Sequence, residues 1–293
     1  MEKTVLFRQE NGMLSPLTCL SIDSKGRYVV FGNADAIITI VDTKSGKIKN
    51  TIAGHEGTIS ATFFIGDRNK VLSCSWDNST RLWDNKNIEE FTILKHSSEV
   101  KALAVTPDQG KGAAGSRDGE VKVFSLSTLK SMRNLQAHGT DVTGLTFIKD
   151  GTKLVTASLD GECKIWDLSS YEVDFQLNRI PDNIRAIATN NDGSKLVLGL
   201  RSGKILSIDV DNPSKIDELV GHTDVVSALS IDSTGERLAS GSWDRTIRIW
   251  SLNSLKEISS GSLLTGINAV QWDPKNEIVF SADFAGTVTS WSI

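Results

Sequence analysis

The sequence predicts an all-β fold, a seven-bladed β-propeller of four-stranded antiparallel blades, and three observations predict it. A short strand-like opening recurs seven times at a nearly constant interval. Turn and apolar signals follow each opening at fixed offsets. The interval also survives when it is counted from the C-terminus round to the N-terminus.

The openings begin at Leu17, Ile59, Val100, Val142, Ile184, Val226 and Ile267, as in Leu17-Thr18-Cys19-Leu20 and Val226-Ser227-Ala228-Leu229. They are spaced by 42, 41, 42, 42, 42 and 41 residues, with 43 across the chain ends. A period that closes on itself implies a ring, whereas an open stack of repeats has no reason to obey it.

Each unit carries the same punctuation. Twenty-four residues after the opening stands a bulky apolar residue: Val41, Trp83, Phe124, Trp166, Ile208, Trp250 or Trp291. Eighteen residues after it stands a turn aspartate, Asp35, Asp77, Asp118, Asp160 or Asp244, replaced by Ser202 and Ala285 in blades five and seven. Gly- and Asp-rich turns separate short runs of β-branched and apolar residues, so each unit holds about four strands, one blade.

The last unit has room for only three strands, and Thr4-Val5-Leu6-Phe7-Arg8 reads as the missing fourth. Residues 1–12 are therefore expected to close the ring, because an unpaired sheet edge invites aggregation. The whole chain, 1–293, reads as one domain with no tail, coiled coil or second domain beyond the ring.

These residues resemble the WD-repeat family along essentially the whole chain. The strongest match runs from Gly221-His222 through Ser240-Gly241-Ser242-Trp243-Asp244 to Ile249-Trp250. Blade five departs from the pattern, with Ile180, Ser202 and Ile208 where His, Asp and Trp are usual, and blade seven lacks the His and the turn Asp.

Composition narrows the function. Hydrophobic residues are 39% and charged residues 23% of the chain, a globular composition. The net charge is −4 and the Lys and Arg residues are scattered, which argues against nucleic acid as the main ligand. No apolar run reaches the roughly 18 residues that span a bilayer, and Met1-Glu2-Lys3-Thr4 does not open a signal peptide. A cytoplasmic protein is expected, with the nucleus left open. Cys19, Cys74 and Cys163 show no metal-type spacing and stand in columns of small or β-branched residues, so they read as packing residues.

One constellation imitates an active site. His55, Asp77, Ser73 or Ser75, and Trp83 group in blade two. His138, Asp160, Thr156 or Ser158, and Trp166 group in blade four, and His222, Asp244, Ser240 or Ser242, and Trp250 in blade six. A partial copy, His96, Asp118, Ser116 and Phe124, stands in blade three. By residue type these are Ser-His-Asp triads. A nucleophile has no reason to be copied once per blade, and a buried network that satisfies its own polar groups does. The resemblance implies the same, a structural tetrad. No catalytic residue, metal or cofactor is expected.

Binding is then expected where the scaffold leaves freedom. The residue before the turn aspartate is implied by the resemblance to face partners, and this column reads Ala34, Trp76, Arg117, Leu159, Arg201, Trp243 and Phe284. A second column, one residue after each opening, reads Thr18, Ser60, Lys101, Thr143, Arg185, Ser227 and Asn268. Trp and Arg are the types enriched at interface hot spots. The expected partner site is therefore Trp76, Lys101, Arg117, Arg185, Arg201, Trp243 and Phe284. Its expected ligand is a protein segment with acidic or phosphorylated groups beside an apolar anchor.

The expected function is a non-enzymatic scaffold, a monomeric propeller within a larger complex. The alternative is the substrate-recognition subunit of a multi-protein enzyme such as a ubiquitin ligase. Trp83-Asp84-Asn85-Lys86 loosely resembles a ligase-adaptor docking motif, with Lys86 where arginine is usual.

Overall fold

The computed structural model describes residues 1–9, 15–66, 69–190, 192–275 and 277–293. It contains seven four-stranded antiparallel sheets, each in simple up-and-down order, arranged in a ring. The only helical segment among the described residues is a 3-10 turn at Lys149–Gly151.

Six blades are continuous in sequence. Blade two is typical: Ile59–Ile65, Lys70–Ser75, Ser79–Asp84 and Phe91–Lys95. The seventh is not. Its strands Ile267–Trp272, Ile278–Asp283 and Thr287–Ser292 are completed by Glu2–Arg8, which runs antiparallel to Thr287–Ser292. The pairing extends from Glu2 opposite Ser292 to Arg8 opposite Thr287. Leu6 and Phe7 fill the joint between blades seven and one, with the Phe7 ring 5.0 Å from that of Phe31. The closing strand thus ends at Arg8; residues 10–12 of the expected segment lie outside the described residues.

The hydrophobic core is a set of joints rather than one centre. Seven apolar clusters each join residues of successive blades, as where Ile38, Ile40 and Ile52 of blade one meet Ile59, Val71 and Trp83 of blade two. Each opening residue is buried at such a joint and presses on a small residue of the previous blade. A side chain at Gly32 would lie 2.3 Å from Ile59, and one at Gly241 2.6 Å from Ile267. That approach explains the small-residue column in which Cys74 stands.

All three cysteines are buried and free. Burial raises the Cys19 thiol to about 11 and that of Cys163 to about 12, so neither offers a thiolate at neutral pH.

Every opening strand carries a β-bulge at the same place. The register slips between residues 17 and 19, 59 and 61, 100 and 102, 142 and 144, 184 and 186, 226 and 228, and 267 and 269. The skipped residue is the one after the opening, and a bulge of this kind re-aims its side chain. The second candidate column is therefore a column of bulge residues.

Candidate functional site

The triad-like groups come together as closed networks in blades two and six. His55 Nδ1 lies 2.7 Å from Asp77 Oδ2, and His55 Nε2 lies 2.8 Å from Ser73 Oγ. Trp83 Nε1–H donates to the same hydroxyl at 2.8 Å. In blade six the distances are 2.8 Å from His222 to Asp244, 2.7 Å to Ser240, and 2.8 Å from Trp250 to Ser240.

The other hydroxyls left open by the sequence serve the turns. Ser75 Oγ donates to the Gly57 carbonyl and Ser242 Oγ to that of Asp224, while each accepts from the amide of the turn aspartate.

The charge states follow from burial and bonding. Burial pushes the His55 and His222 imidazoles below 6.5, against the opposing pull of their aspartates. Burial also opposes ionisation of Asp244, but the Thr246 hydroxyl, the Thr223 amide and His222 outweigh it and lower the carboxyl to about 2. Each network at neutral pH is a neutral imidazole bonded to a carboxylate. Ser73, Thr156 and Ser240 are wholly buried, so no substrate carbon can reach these hydroxyls.

Blades three and four differ. His138 Nε2 meets Thr156 Oγ1 at 2.8 Å, and Trp166 Nε1–H donates to it at 3.1 Å, but His138 Nδ1 stands 3.5 Å from Asp160. In blade three the partial copy does not assemble. His96 Nε2 lies 3.0 Å from Thr80 Oγ1 of blade two, while Ser116 donates to Asp118 and to the Glu120 carbonyl. The residue at the Ser73 position is Ala114, so His96 has no hydroxyl within its own blade.

The bulge column divides into two kinds. Thr18 donates to the Ile59 carbonyl and Ser227 to that of Ile267. Ser60 donates to Val100 at 2.6 Å, Thr143 to Ile184 at 2.7 Å, and Asn268 to Leu17 at 2.8 Å. Each bond ties a blade to the next one at the opening residue. Five joints are stapled in this way. At the remaining two the bulge residue is a cation.

Each cation lies under a tryptophan of the first candidate column. Lys101 Nζ is 3.5 Å from the Trp76 ring centroid, and the Arg185 guanidinium is 5.5 Å from that of Trp243. Trp76 and Trp243 are 47% and 37% exposed, unlike the wholly buried tetrad tryptophans Trp83 and Trp250. Phe284 is half-buried and meets the Trp243 ring edge-on at 5.8 Å. Trp243 Nε1–H donates to Asn268 at 3.3 Å.

Two clusters result, with blade four between them in the ring. The cluster on blades two and three is internally neutralised: Glu99 holds Lys101 at 2.5 Å and Arg117 at 3.2 Å. The cluster on blades five to seven is not. Arg201 is exposed and makes no ion pair among the described residues, and its charge adds to burial in lowering the Arg185 value. The loop carrying Leu264, which is 89% exposed, passes against Phe284 and Trp243 at Gly266. Sequence reasoning missed Glu99 and Leu264. Glu99 was detectable as an acid two residues before one cation of the columns and eighteen before the other.

Comparison with known proteins agrees with this geometry. The family model described as WD domain, G-beta repeat matches residues 46–84, 88–125, 129–167 and 213–251, slightly more than half of the chain. These are blades two, three, four and six, and the geometry extends the repeat to the other three.

The chain is 28% identical over 122 residues to Periodic tryptophan protein 2 of Saccharomyces cerevisiae, covering 40% of this chain and 13% of that protein. It is 32% identical over 104 residues to Pre-mRNA-processing factor 19 homolog 2 of Arabidopsis thaliana, covering 34% and 20%. It is also 32% identical over 129 residues to Autophagy-related protein 16 of Arabidopsis thaliana, covering 42% and 24%. The matched segments thus span less than a quarter of each relative. No helix among the described residues is long and apolar enough to cross a membrane.

Proposed function

Because the chain belongs to the WD-repeat family of β-propellers, we propose that it is a non-catalytic interaction module that holds a protein segment on the face bearing Trp76, Lys101, Arg117, Arg185, Arg201, Trp243 and Phe284. One observation carries the reading. Lys101 and Arg185 occupy the two bulge positions at which the ring gives up its inter-blade hydrogen bond, and both support an exposed tryptophan. Stability does not explain that exchange, since a neutral hydrogen bond contributes roughly 1 kcal/mol. A binding surface does, because aromatic rings braced by cations are rigid anchors.

The segment's chemistry follows from the cluster on blades five to seven. Arg201 and Arg185 suit a carboxylate or phosphate, and Trp243, Phe284 and Leu264 suit an apolar side chain beside it. The cytoplasm is the proposed location, and the propeller acts as one subunit of a larger complex.

The test exploits the staple. Arg185→Thr restores the residue found in blades one and four, so it removes the cation without weakening the joint. Affinity capture from cell extract, followed by mass spectrometry, should lose its main partner with Arg185→Thr and with Arg201→Glu, at unchanged melting temperature. Phosphatase treatment of the extract separates phosphate from carboxylate. An unchanged partner set from both folded variants defeats the assignment of this face.

A further inference from the structure

Blade four departs from blades two and six at one residue with chemical consequences. Two positions after the turn aspartate, blades two and six carry a hydroxyl. Ser79 donates to Asp77 at 2.6 Å, Thr246 donates to Asp244 at 2.6 Å, and both hydroxyls also approach the histidine Nδ1. Blade four carries Glu162 there. The network opens around it, leaving His138 Nδ1 3.5 Å from Asp160 Oδ2 and 4.0 Å from Glu162 Oε2.

The His138 ring is fully buried and its Nδ1 has no hydrogen-bond partner. The nitrogen is aimed between two carboxylates, and the three donor atoms lie within 4.8 Å of one another.

We propose that His138 Nδ1, Asp160 and Glu162 form a binding site for a divalent transition metal ion, with zinc the best fit. One imidazole nitrogen and two carboxylate oxygens are a donor set that zinc accepts, with a water completing the tetrahedron. Donors around a tetrahedral zinc, each at ~2.0 Å, sit about 3.3 Å apart. The Asp160 distance is already close to that, and Glu162 must move inward by about half an ångström.

The rest of the shell agrees. Thr156 lies on His138 Nε2, where a metal-bound imidazole donates its remaining N–H. Binding through Nδ1 requires the proton on Nε2, a tautomer shift that releases no proton to solvent. Asp160 and Glu162 are partly exposed, so ions reach the site from solvent.

The competitor is Lys164. Its ammonium lies 2.8 Å from Glu162 Oε2 and donates to the Ala137 carbonyl at 2.7 Å. A metal ion therefore has to displace one bond of a lysine, and this gives the proposal a prediction of opposite sign on adjacent side chains.

Zinc chloride is titrated calorimetrically into the chelator-treated full chain, and into Glu162→Thr and Lys164→Met. The expected result is one zinc per chain, weakened at least about tenfold by Glu162→Thr and strengthened by Lys164→Met. Glu162→Thr reproduces the residue of blade six and is expected to fold; Glu162→Gln is the second variant if it does not. Proton-nitrogen spectra should show His138 Nε2 protonated in the zinc form. Failure of wild-type chain to bind zinc saturably overturns the site. So does binding that ignores both substitutions, because the ion is then held elsewhere.

Discussion

Blades five and six adopt the same pairing from opposite chemistry. In blade six, His222, Ser240, Asp244 and Trp250 form a closed polar network. In blade five the same positions hold Ile180, Leu198, Ser202 and Ile208, and three of these pack in one apolar cluster. Register is nonetheless identical, with Ile184 opposite Leu200 in one blade and Val226 opposite Ser242 in the other. The network is therefore one of two ways to fill the interior of a blade. Each works when it is consistent, since a lone polar group among apolar neighbours has no partner. Blade three shows the mixed case. His96 beside Ala114 and Phe124 keeps an unpartnered Nδ1 and turns its other nitrogen to blade two.

The comparison can be broken by substitution. Leu198→Ala in blade five should have the largest effect, a loss of about 2–5 kcal/mol in chemical denaturation, because Leu198 is wholly buried and its removal leaves a cavity. Ser240→Ala in blade six should cost less, about 1–3 kcal/mol, since His222 and Trp250 each lose a partner. The reverse order would mean that polar bonding, not burial, carries the interior of a blade.

Acid gives the smallest and most local effect. The His222 value is lowered in the folded chain, so the unfolded chain takes up the proton first as pH falls below 6.5. Stability from that residue is complete above 6.5 and declines from there downward. The Asp244 contribution is present above 3.8 and is lost as pH falls through about 2. Amide exchange at pH 7 and pH 5 should therefore show lost protection in Val226–Ile231 and Arg237–Ser242 before Ile184–Thr189 and Lys195–Leu200. Equal loss in both blades would show that the two interiors are not independent.

Much of this was legible in the sequence. The period, the small-residue columns and the closing strand at Thr4–Arg8 are patterns in residue type, and strand pairing follows from them directly. The choice between Ser73 and Ser75 was legible too, but only when two columns are read together. A hydroxyl stands at the Ser73 position, as Thr156, Ser240 and Ser281, in just those blades whose third strand carries tryptophan; the others have Phe31, Ala114 and Leu198. Trp291 accordingly donates to Ser281 at 2.8 Å in a blade without histidine. The hydroxyl follows the indole rather than the imidazole.

By itself, then, the sequence determined the ring, its seven blades and the residues free to face a partner, because repetition and apolar spacing are properties of the chain. Only the tertiary structure decided that Glu99 neutralises Lys101 and Arg117, that five bulge residues staple the joints, and that the blade-four network stands open beside Glu162. Those outcomes depend on distances of a few tenths of an ångström between groups that folding alone brings together, and hydrogen bonds and ion pairs change sharply over that range.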